Sequence, residues 1–177
     1  MKYNYSDSEI KKLLKTIVVL VDTREKENQQ ITDYFSKKKI VWKSKALDCG
    51  DYTCMIPADN ELGIPRDIVF SDDIVVERKA SLEELSGNLS KERKRFENEL
   101  IRAKGTQIIL MIENGTYSDL VNGNYSTGLS AKAFLAALAT FSVRYNFSYH
   151  FVTKETAGNF IYWHLYYAVR ERLIRGF

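Results

Sequence analysis

The chain alternates short, almost wholly apolar runs with longer stretches in which apolar residues recur every three or four positions. Residues 16–21 (TIVVLV) and 107–112 (QIILMI) are continuous apolar runs, the pattern of strands buried on both faces in the centre of an α/β sheet. Residues 40–47 alternate, with Ile40, Trp42, Ser44 and Ala46 on one face, and residues 52–56 and 147–152 predict two more strands. Helical spacing appears in between. Ser6 with Glu9 three residues on forms a capping box ahead of Ile10, Leu13 and Leu14. Residues 28–39 carry Ile31, Tyr34 and Phe35 on one stripe. Residues 81–104 carry Phe96, Leu100 and Ala103, with a break expected near Gly87-Asn88, and residues 131–145 bury Phe134, Leu135, Leu138 and Phe141. Residues 156–175 form a closing helix with Phe160, Trp163, Leu165, Tyr166, Val169 and Leu173 as core. Residues 57–73 read as a long hairpin connection with a short strand of its own, and residues 116–129, rich in Asn, Gly, Ser and Tyr, as a mobile loop. Alternating strands and helices predict an α/β fold, one domain over residues 1–177 with a central mixed sheet flanked by helices and a helical N-terminal extension at 1–15.

One strand ends unusually. In Asp72-Asp73-Ile74-Val75-Val76-Glu77-Arg78-Lys79, β-branched residues lead into a charged triplet. Alternation puts Val75, Glu77 and Lys79 on one face and Ile74, Val76 and Arg78 on the other. A surface ion pair at a strand end is one reading. The other gathers the remaining strand ends around it: Asp22 and Glu25 after the first apolar run, and Asp51 after the turn residue Gly50. Asp22 or Thr23 also suits a helix N-cap, and the two roles are compatible. Carboxylates brought together repel unless a cation is bound. Hard oxygen ligands select Mg²⁺ or Mn²⁺, and such an ion activates water for phosphodiester hydrolysis. Lys79, on the Glu77 face, is placed to orient or deprotonate that water or to stabilise developing charge.

Composition narrows the classes without choosing one. The 177 residues are 45% hydrophobic and 28% charged, enough apolar material for a core. No uncharged run is long enough to span a membrane and no signal-peptide pattern opens the chain, so a cytoplasmic protein is expected. Cys49 and Cys54 are the only cysteines and have no histidine nearby, which argues against zinc. A net charge of +3 permits a polyanionic partner without demanding one. Lys91, Arg95 and Arg102 stripe the helix at 81–104, with Lys94 beside them; with Glu92, Glu97 and Glu99 interspersed, this is either a solvated face or a phosphate-contacting one.

Val21-Asp22-Thr23-Arg24-Glu25, Gly50-Asp51-Tyr52 and Val76-Glu77-Arg78-Lys79 together resemble the signature of the ERCC4-type nuclease domain of the XPF/Mus81 structure-specific endonucleases, a branch of the restriction-endonuclease-like PD-(D/E)xK fold. The resemblance covers roughly residues 17–152. It implies a Mg²⁺- or Mn²⁺-dependent DNA endonuclease acting on duplex or branched DNA (flaps, forks), in repair or recombination. Asp22, Asp51 and Glu77 would ligate metal, Glu25 would assist, Lys79 would be the catalytic lysine and Arg78 would serve beside it. The last acidic position of the family pattern falls on Glu83, where the family has Asp. Residues 57–73 stand as an insertion, and the tandem helix-hairpin-helix module that follows this domain in the family is not among these residues. The resemblance further implies a homodimer, a separate DNA-binding or replication partner, and nucleoid association in a bacterial or mobile-element setting. The alternative within the same family is a non-catalytic DNA-binding or dimerisation partner of a nuclease.

Overall fold

The computed structural model describes residues 4–176; residues 1–3 of the expected N-terminal extension, and Phe177, lie outside the described residues. In chain order the elements are α1 (Asp7–Leu14), β1 (Val18–Val21), α2 (Gln29–Lys37), β2 (Val41–Ser44), β3 (Tyr52–Ile56), β4 (Ile68–Val69), β5 (Ile74–Lys79), α3 (Leu82–Leu89), α4 (Arg93–Arg102), β6 (Gln107–Glu113), α5 (Tyr117–Asn122), α6 (Ala131–Tyr145), β7 (Phe147–Val152) and α7 (Lys154–Arg175). The strands form one mixed sheet in the order β2-β1-β3-β5-β6-β7, with β4 paired to β3. β3 runs antiparallel to β1 and β5; the pairs β1–β2, β5–β6 and β6–β7 are parallel.

Helices cover both faces. On one, Ile10, Leu13, Ile31, Phe35, Ile161 and Leu165 of α1, α2 and α7 close over Val19, Tyr52, Val76 and Met111. On the other, Leu85, Phe96, Leu100, Phe134 and Phe141 of α3, α4 and α6 close over Val75, Ile108 and Leu110. Fully burying each such side chain contributes roughly 1.5–3 kcal/mol. The face split of β5 follows the alternation of its sequence: Ile74 and Val76 belong to the first cluster and Val75 to the second.

Four expectations are corrected. The break in the helix at 81–104 falls at residues 90–92, after Leu89, since Gly87 and Asn88 remain helical. β2 is shorter than the alternating run and exposed along its length, because it is an edge strand. The segment expected as a loop at 116–129 contains α5, started by a capping box between Thr116 and Asp119 and ended by Gly123 in the left-handed region. Trp163 is 42% exposed, because α7 packs along Ala157, Ile161, Leu165, Val169 and Leu173, a stripe of every fourth residue that bypasses it.

The topology fixes where chemistry can gather. β1 and β5 end at the edge of the sheet where the antiparallel β3 begins. Tyr52 pairs with both Val21 and Val76. Asp51, one residue earlier, bridges the two neighbours: its N–H donates to Val76 O (2.9 Å) and its C=O accepts from Asp22 N (2.8 Å). Gly50 makes the approach possible. Its φ is +70°, and a Cβ there would stand 2.7 Å from Val75 Cβ, so both the backbone conformation and the space select glycine.

Candidate active site

A cleft of about 590 Å³ opens at this sheet edge, bounded by the strand ends, the 24–27 segment and the α3–α4 helices. Glu25, Asp51, Glu77, Arg78, Lys79 and Glu83 all line it, as do Arg95 and Arg102 of α4. Asp22, Lys91 and Lys94 do not; Lys91 and Lys94 are exposed outside it.

Asp51 and Glu77 each engage one carboxylate oxygen in the fold. Asp51 Oδ2 accepts the Arg78 backbone N–H at 2.7 Å. Glu77 Oε1 accepts Lys79 Nζ at 2.7 Å. Among the described residues, the second oxygen of each accepts no hydrogen bond. Burial holds the Asp51 pKa well above the ordinary carboxylate value and the negative charge of Glu77 raises it further, against the Arg78 N–H and Lys79. This is the situation a bound cation relieves.

Lys79 is buried, with its ammonium held by Glu77, 3.8 Å from Glu84 Oε1 and 5.1 Å from the centre of the Phe96 ring. Burial disfavours the ammonium, but the charge and hydrogen bond of Glu77, with Asp51 and Glu84 behind, outweigh it and raise the pKa. Lys79 is therefore a cation at neutral pH. Glu84 also accepts the Ala80 N–H at 2.8 Å, which fixes the chain as it leaves β5.

Arg78 turns to the other face, as alternation predicts, and is 7% exposed. Its Nε and Nη2 grip both oxygens of Glu113 at 2.8 and 3.1 Å, and its Nη1 donates to Glu25 Oε1 at 3.0 Å. Gln30 of α2 donates to Glu113 as well. Burial works against the guanidinium, but hydrogen bonds and charge from Glu113 and the charge of Glu25 raise its pKa. Burial raises the Glu25 pKa against the pull of Arg78, with Glu84, Glu77 and Glu113 adding to the rise. Arg78, Glu25 and Glu113 thus form a largely buried charge network in the wall of the cleft, and through its backbone N–H Arg78 also positions Asp51.

Asp22 is differently employed. Its Oδ1 accepts Arg24 Nε (2.8 Å) and Arg24 N (2.7 Å); its Oδ2 accepts Arg24 Nη2 (3.0 Å) and Leu47 N (2.8 Å). Burial pushes its pKa up, but these bonds together carry it below the usual value. With both oxygens taken, Asp22 braces the 22–24 turn against the 44–48 segment. Glu83 Oε1 accepts the Ser126 N–H at 3.0 Å, which ties α3 to the following loop and lowers its pKa. Arg95 is shared between Glu92 at 3.6 Å and Glu99 at 3.3 Å.

Among the described residues no three His, Cys, Asp or Glu side chains are gathered as a metal-holding group. A pair of carboxylates with free oxygens nevertheless matches Mg²⁺, which commonly takes one or two protein carboxylates and fills its shell with water and substrate phosphate.

Sequence reasoning missed Glu113, Glu84 and the cleft role of Phe96. Glu113 reads as part of a turn, yet it ends an apolar strand whose Ile112 pairs with Lys79; its position beside Arg78 needs that register. Phe96 fits its helical stripe and so reads as core alone.

The sheet order and the helices on both faces define a restriction-endonuclease-like α/β fold. The structure is similar to XPF from Aeropyrum pernix, with a TM-score of 0.62 and 20% sequence identity over 86% of this chain and 65% of that one. It is similarly close to XPF from Aeropyrum pernix in complex with DNA, again at a TM-score of 0.62 and 20% identity, over 88% of this chain and 66% of that one. The chain thus spans just under two thirds of the length of either. The ERCC4 domain family model matches residues 21–162, and the chain belongs to that family. Comparison with the curated proteins gives no match. No helix among the described residues is long and apolar enough to cross a membrane.

Proposed function

We propose that the protein is a metal-dependent DNA endonuclease that hydrolyses phosphodiester bonds in the cleft between β5 and the α3–α4 helices. One observation carries the proposal: Asp51 and Glu77 face the same cleft with free oxygens, beside a Lys79 ammonium that Glu77 holds at 2.7 Å. Mg²⁺ or Mn²⁺ between these carboxylates would supply charge neutralisation for the phosphate and a more acidic bound water. The remaining roles fall to the chain itself. Lys79, protonated at neutral pH, offers N–H donors and positive charge to an anionic phosphate as negative charge builds on its oxygens. It is a poor proton acceptor in this state, so its role is electrostatic. Arg78 and Glu113 hold the β5 end rigid, and the Arg78 backbone N–H keeps Asp51 turned to Glu77. Asp22 braces the 22–24 turn, whose Arg24 lines the cleft, against Leu47. Glu25 sits at the cleft wall, its charge partly spent on Arg78. Arg95 and Arg102 line the cleft on α4 and would contact phosphate there, Arg95 only as far as Glu92 and Glu99 release it.

XPF from Aeropyrum pernix has been captured with DNA, which supports DNA as the substrate class here. Backbone contacts position a nucleic acid without reading sequence, so cleavage with little sequence dependence and steep salt dependence is expected. The test is cleavage of labelled flap, fork and plain duplex DNA with Mg²⁺, Mn²⁺ or chelator, wild type against Glu77→Gln. Metal-dependent cutting lost in the variant supports the proposal, and the substrate ranking shows whether branched DNA is preferred. Salt-sensitive binding equal in both proteins, without cutting, identifies a non-catalytic DNA-binding subunit instead.

A further inference from the structure

A run of uncompensated positive charge lies away from α4. Between residues 37 and 47 stand Lys37, Lys38, Lys39, Lys43 and Lys45, with no acidic residue among them. Five positive charges exceed the net +3 of the whole chain, so the rest of the molecule is on balance acidic. All five lysines are exposed. Among the described residues none makes an ion pair, in contrast to Arg95, which Glu92 and Glu99 partly neutralise. Lys37 and Lys38 end α2, on the other layer of the sheet; Lys39 precedes the free edge strand β2, Lys43 lies in it and Lys45 follows it, with Trp42, 37% exposed, among them.

Register relates this edge to the cleft. Lys43 pairs with Leu20, and Leu20 with Thr53. Tyr52, next to Thr53, pairs with Val76. Side chains alternate, so Lys43, Leu20 and Thr53 share the sheet face that carries Val75, Glu77 and Lys79. Lys45 follows β2 directly and its N–H is bonded to Val21 O at 2.9 Å, beside Asp22. The helices of the second layer close over β5 and its neighbours, and the face of β1 and β3 carries only a small separate cluster of Val18, Leu20, Leu47 and Met55. From β5 to β2 is three strand steps, roughly 14 Å, and the major groove of a duplex is about 12 Å across.

One residue in the tract is held against its preference. Lys39 has φ +57° at the end of α2, with the next N–H, that of Ile40, bonded to Phe35 O at 2.8 Å. Glycine takes this conformation freely and is the usual residue there; a lysine adds charge at a conformational cost. Complementarity to the α2 dipole accounts for Lys37 and Lys38 but not for Lys43 and Lys45, a strand away.

We propose that Lys39, Lys43 and Lys45 form a second phosphate-binding ledge along the free edge of the sheet. It holds the backbone of duplex DNA across a groove from the strand in the cleft. This rests on the reading of the cleft as a DNA hydrolase. The ledge supplies affinity and register, not chemistry, and it explains how a chain with so small a net charge could grip a duplex.

The experiment uses the full chain carrying Glu77→Gln, with and without Lys39→Gln, Lys43→Gln and Lys45→Gln together. Binding to a labelled duplex is followed by fluorescence anisotropy over a salt series in chelator. The expected result is affinity lower by about tenfold or more, with a log–log salt slope shallower by about 0.9 for each phosphate that the variant no longer neutralises. Replacement of the same three positions by arginine restores both. In the otherwise wild-type protein, the triple glutamine variant should lose cleavage of duplex while keeping metal-dependent hydrolysis of a small phosphodiester that cannot reach the ledge. Equal affinity and slope with and without the lysines overturns the ledge and leaves the nuclease reading standing. So does a glutamine variant that self-associates by light scattering with DNA binding unchanged, which makes the lysines guards of an open sheet edge. No DNA binding by either protein removes the nuclease reading and the ledge together.

Discussion

Replacing Asp51 by asparagine should make the metal-free protein more stable while abolishing cleavage. The carboxylate is largely buried, and the charge of Glu77 on the neighbouring strand opposes its ionisation. The substitution removes that repulsion at almost constant volume. An asparagine carbonyl still accepts the Arg78 N–H that reaches Asp51 Oδ2 at 2.7 Å. Relief of this kind at a functional site is commonly about 0.5–2 kcal/mol. In a chain of 177 residues each 1 kcal/mol moves Tm by about 2–4 °C, so a rise of about 1–8 °C is expected in chelator.

The sign also fixes the pH dependence. The folded-state pKa of Asp51 is raised, so the wild-type side chain binds its proton more tightly in the fold than in the unfolded chain. That contribution to stability is fully present below the unfolded value of about 3.9 and is lost as pH rises through the folded value. The asparagine of the variant does not titrate. Its Tm advantage should therefore be smallest in acid and reach its full size once pH exceeds the raised pKa. Mg²⁺ should reverse the order, because a ligand bound only by the folded state stabilises it by about 2.7 kcal/mol at a hundred times its Kd. Wild type should gain Tm with Mg²⁺ and the variant should gain little. Differential scanning calorimetry at two pH values, with chelator and with Mg²⁺, reads both effects. A Tm in chelator at neutral pH that is unchanged or lower in the variant would refute the repulsion, and an equal Mg²⁺ gain in both proteins would refute Asp51 as a ligand.

Glu113→Ala leaves the buried Arg78 with Glu25 alone, and losing one partner of a buried pair costs about 3–5 kcal/mol; urea unfolding should show a large fall in midpoint, larger than for Arg24→Ala on the exposed side of its pair with Asp22. Gly50→Ala places a methyl 2.7 Å from Val75 Cβ at a φ of +70°; the left-handed conformation costs roughly 1–2 kcal/mol and overpacking about 1–3 kcal/mol, readable as a Tm loss with reduced activity. Lys79→Met removes a cation but keeps the stem over Phe96; kcat should fall about 10²–10³-fold, the scale of losing one electrostatic donor, with the circular dichroism spectrum unchanged, and a fall of less than about tenfold would place Lys79 outside the chemistry.

The fold was legible where one period dominated. β1, β3, β5 and β6 show either unbroken apolar runs or strict alternation, and the helices of the second layer carry their core residues three and four apart. Legibility failed where that condition lapsed. α5 is six residues long with a single buried side chain, Leu120, and so short a helix has almost no periodicity to read; the capping box of Thr116 and Asp119 was its one local signal. The middle of α7, residues 160–169, is apolar or aromatic nearly all round, so its composition does not say which stripe is buried, and Trp163 and Tyr167 fall outside it.

At the site the boundary between the legible and the hidden is sharper, and it separates position from partnership. Strand alternation and strand ends suffice to place Glu77, Lys79 and Asp51 at one sheet edge and to turn Arg78 away from them. They do not say which charges are already spent. Asp22 looks like Asp51 in the sequence, a carboxylate beside a strand end, but Arg24 and the Leu47 N–H take both its oxygens. Arg95 looks like a free cation and is shared by two glutamates within a helical turn of it. Lys43 and Lys45 look like ordinary edge-strand polarity and carry charge that no ion pair among the described residues cancels. A charge acts on a ligand only to the extent that the protein has left it uncompensated. The sequence counts charges, whereas compensation depends on pairings as distant along the chain as Arg78 with Glu113. Function in this cleft is therefore better predicted from the unpaired oxygens of Asp51 and Glu77, and DNA binding from the unpaired lysines at the β2 edge, than from the number of acidic and basic residues nearby.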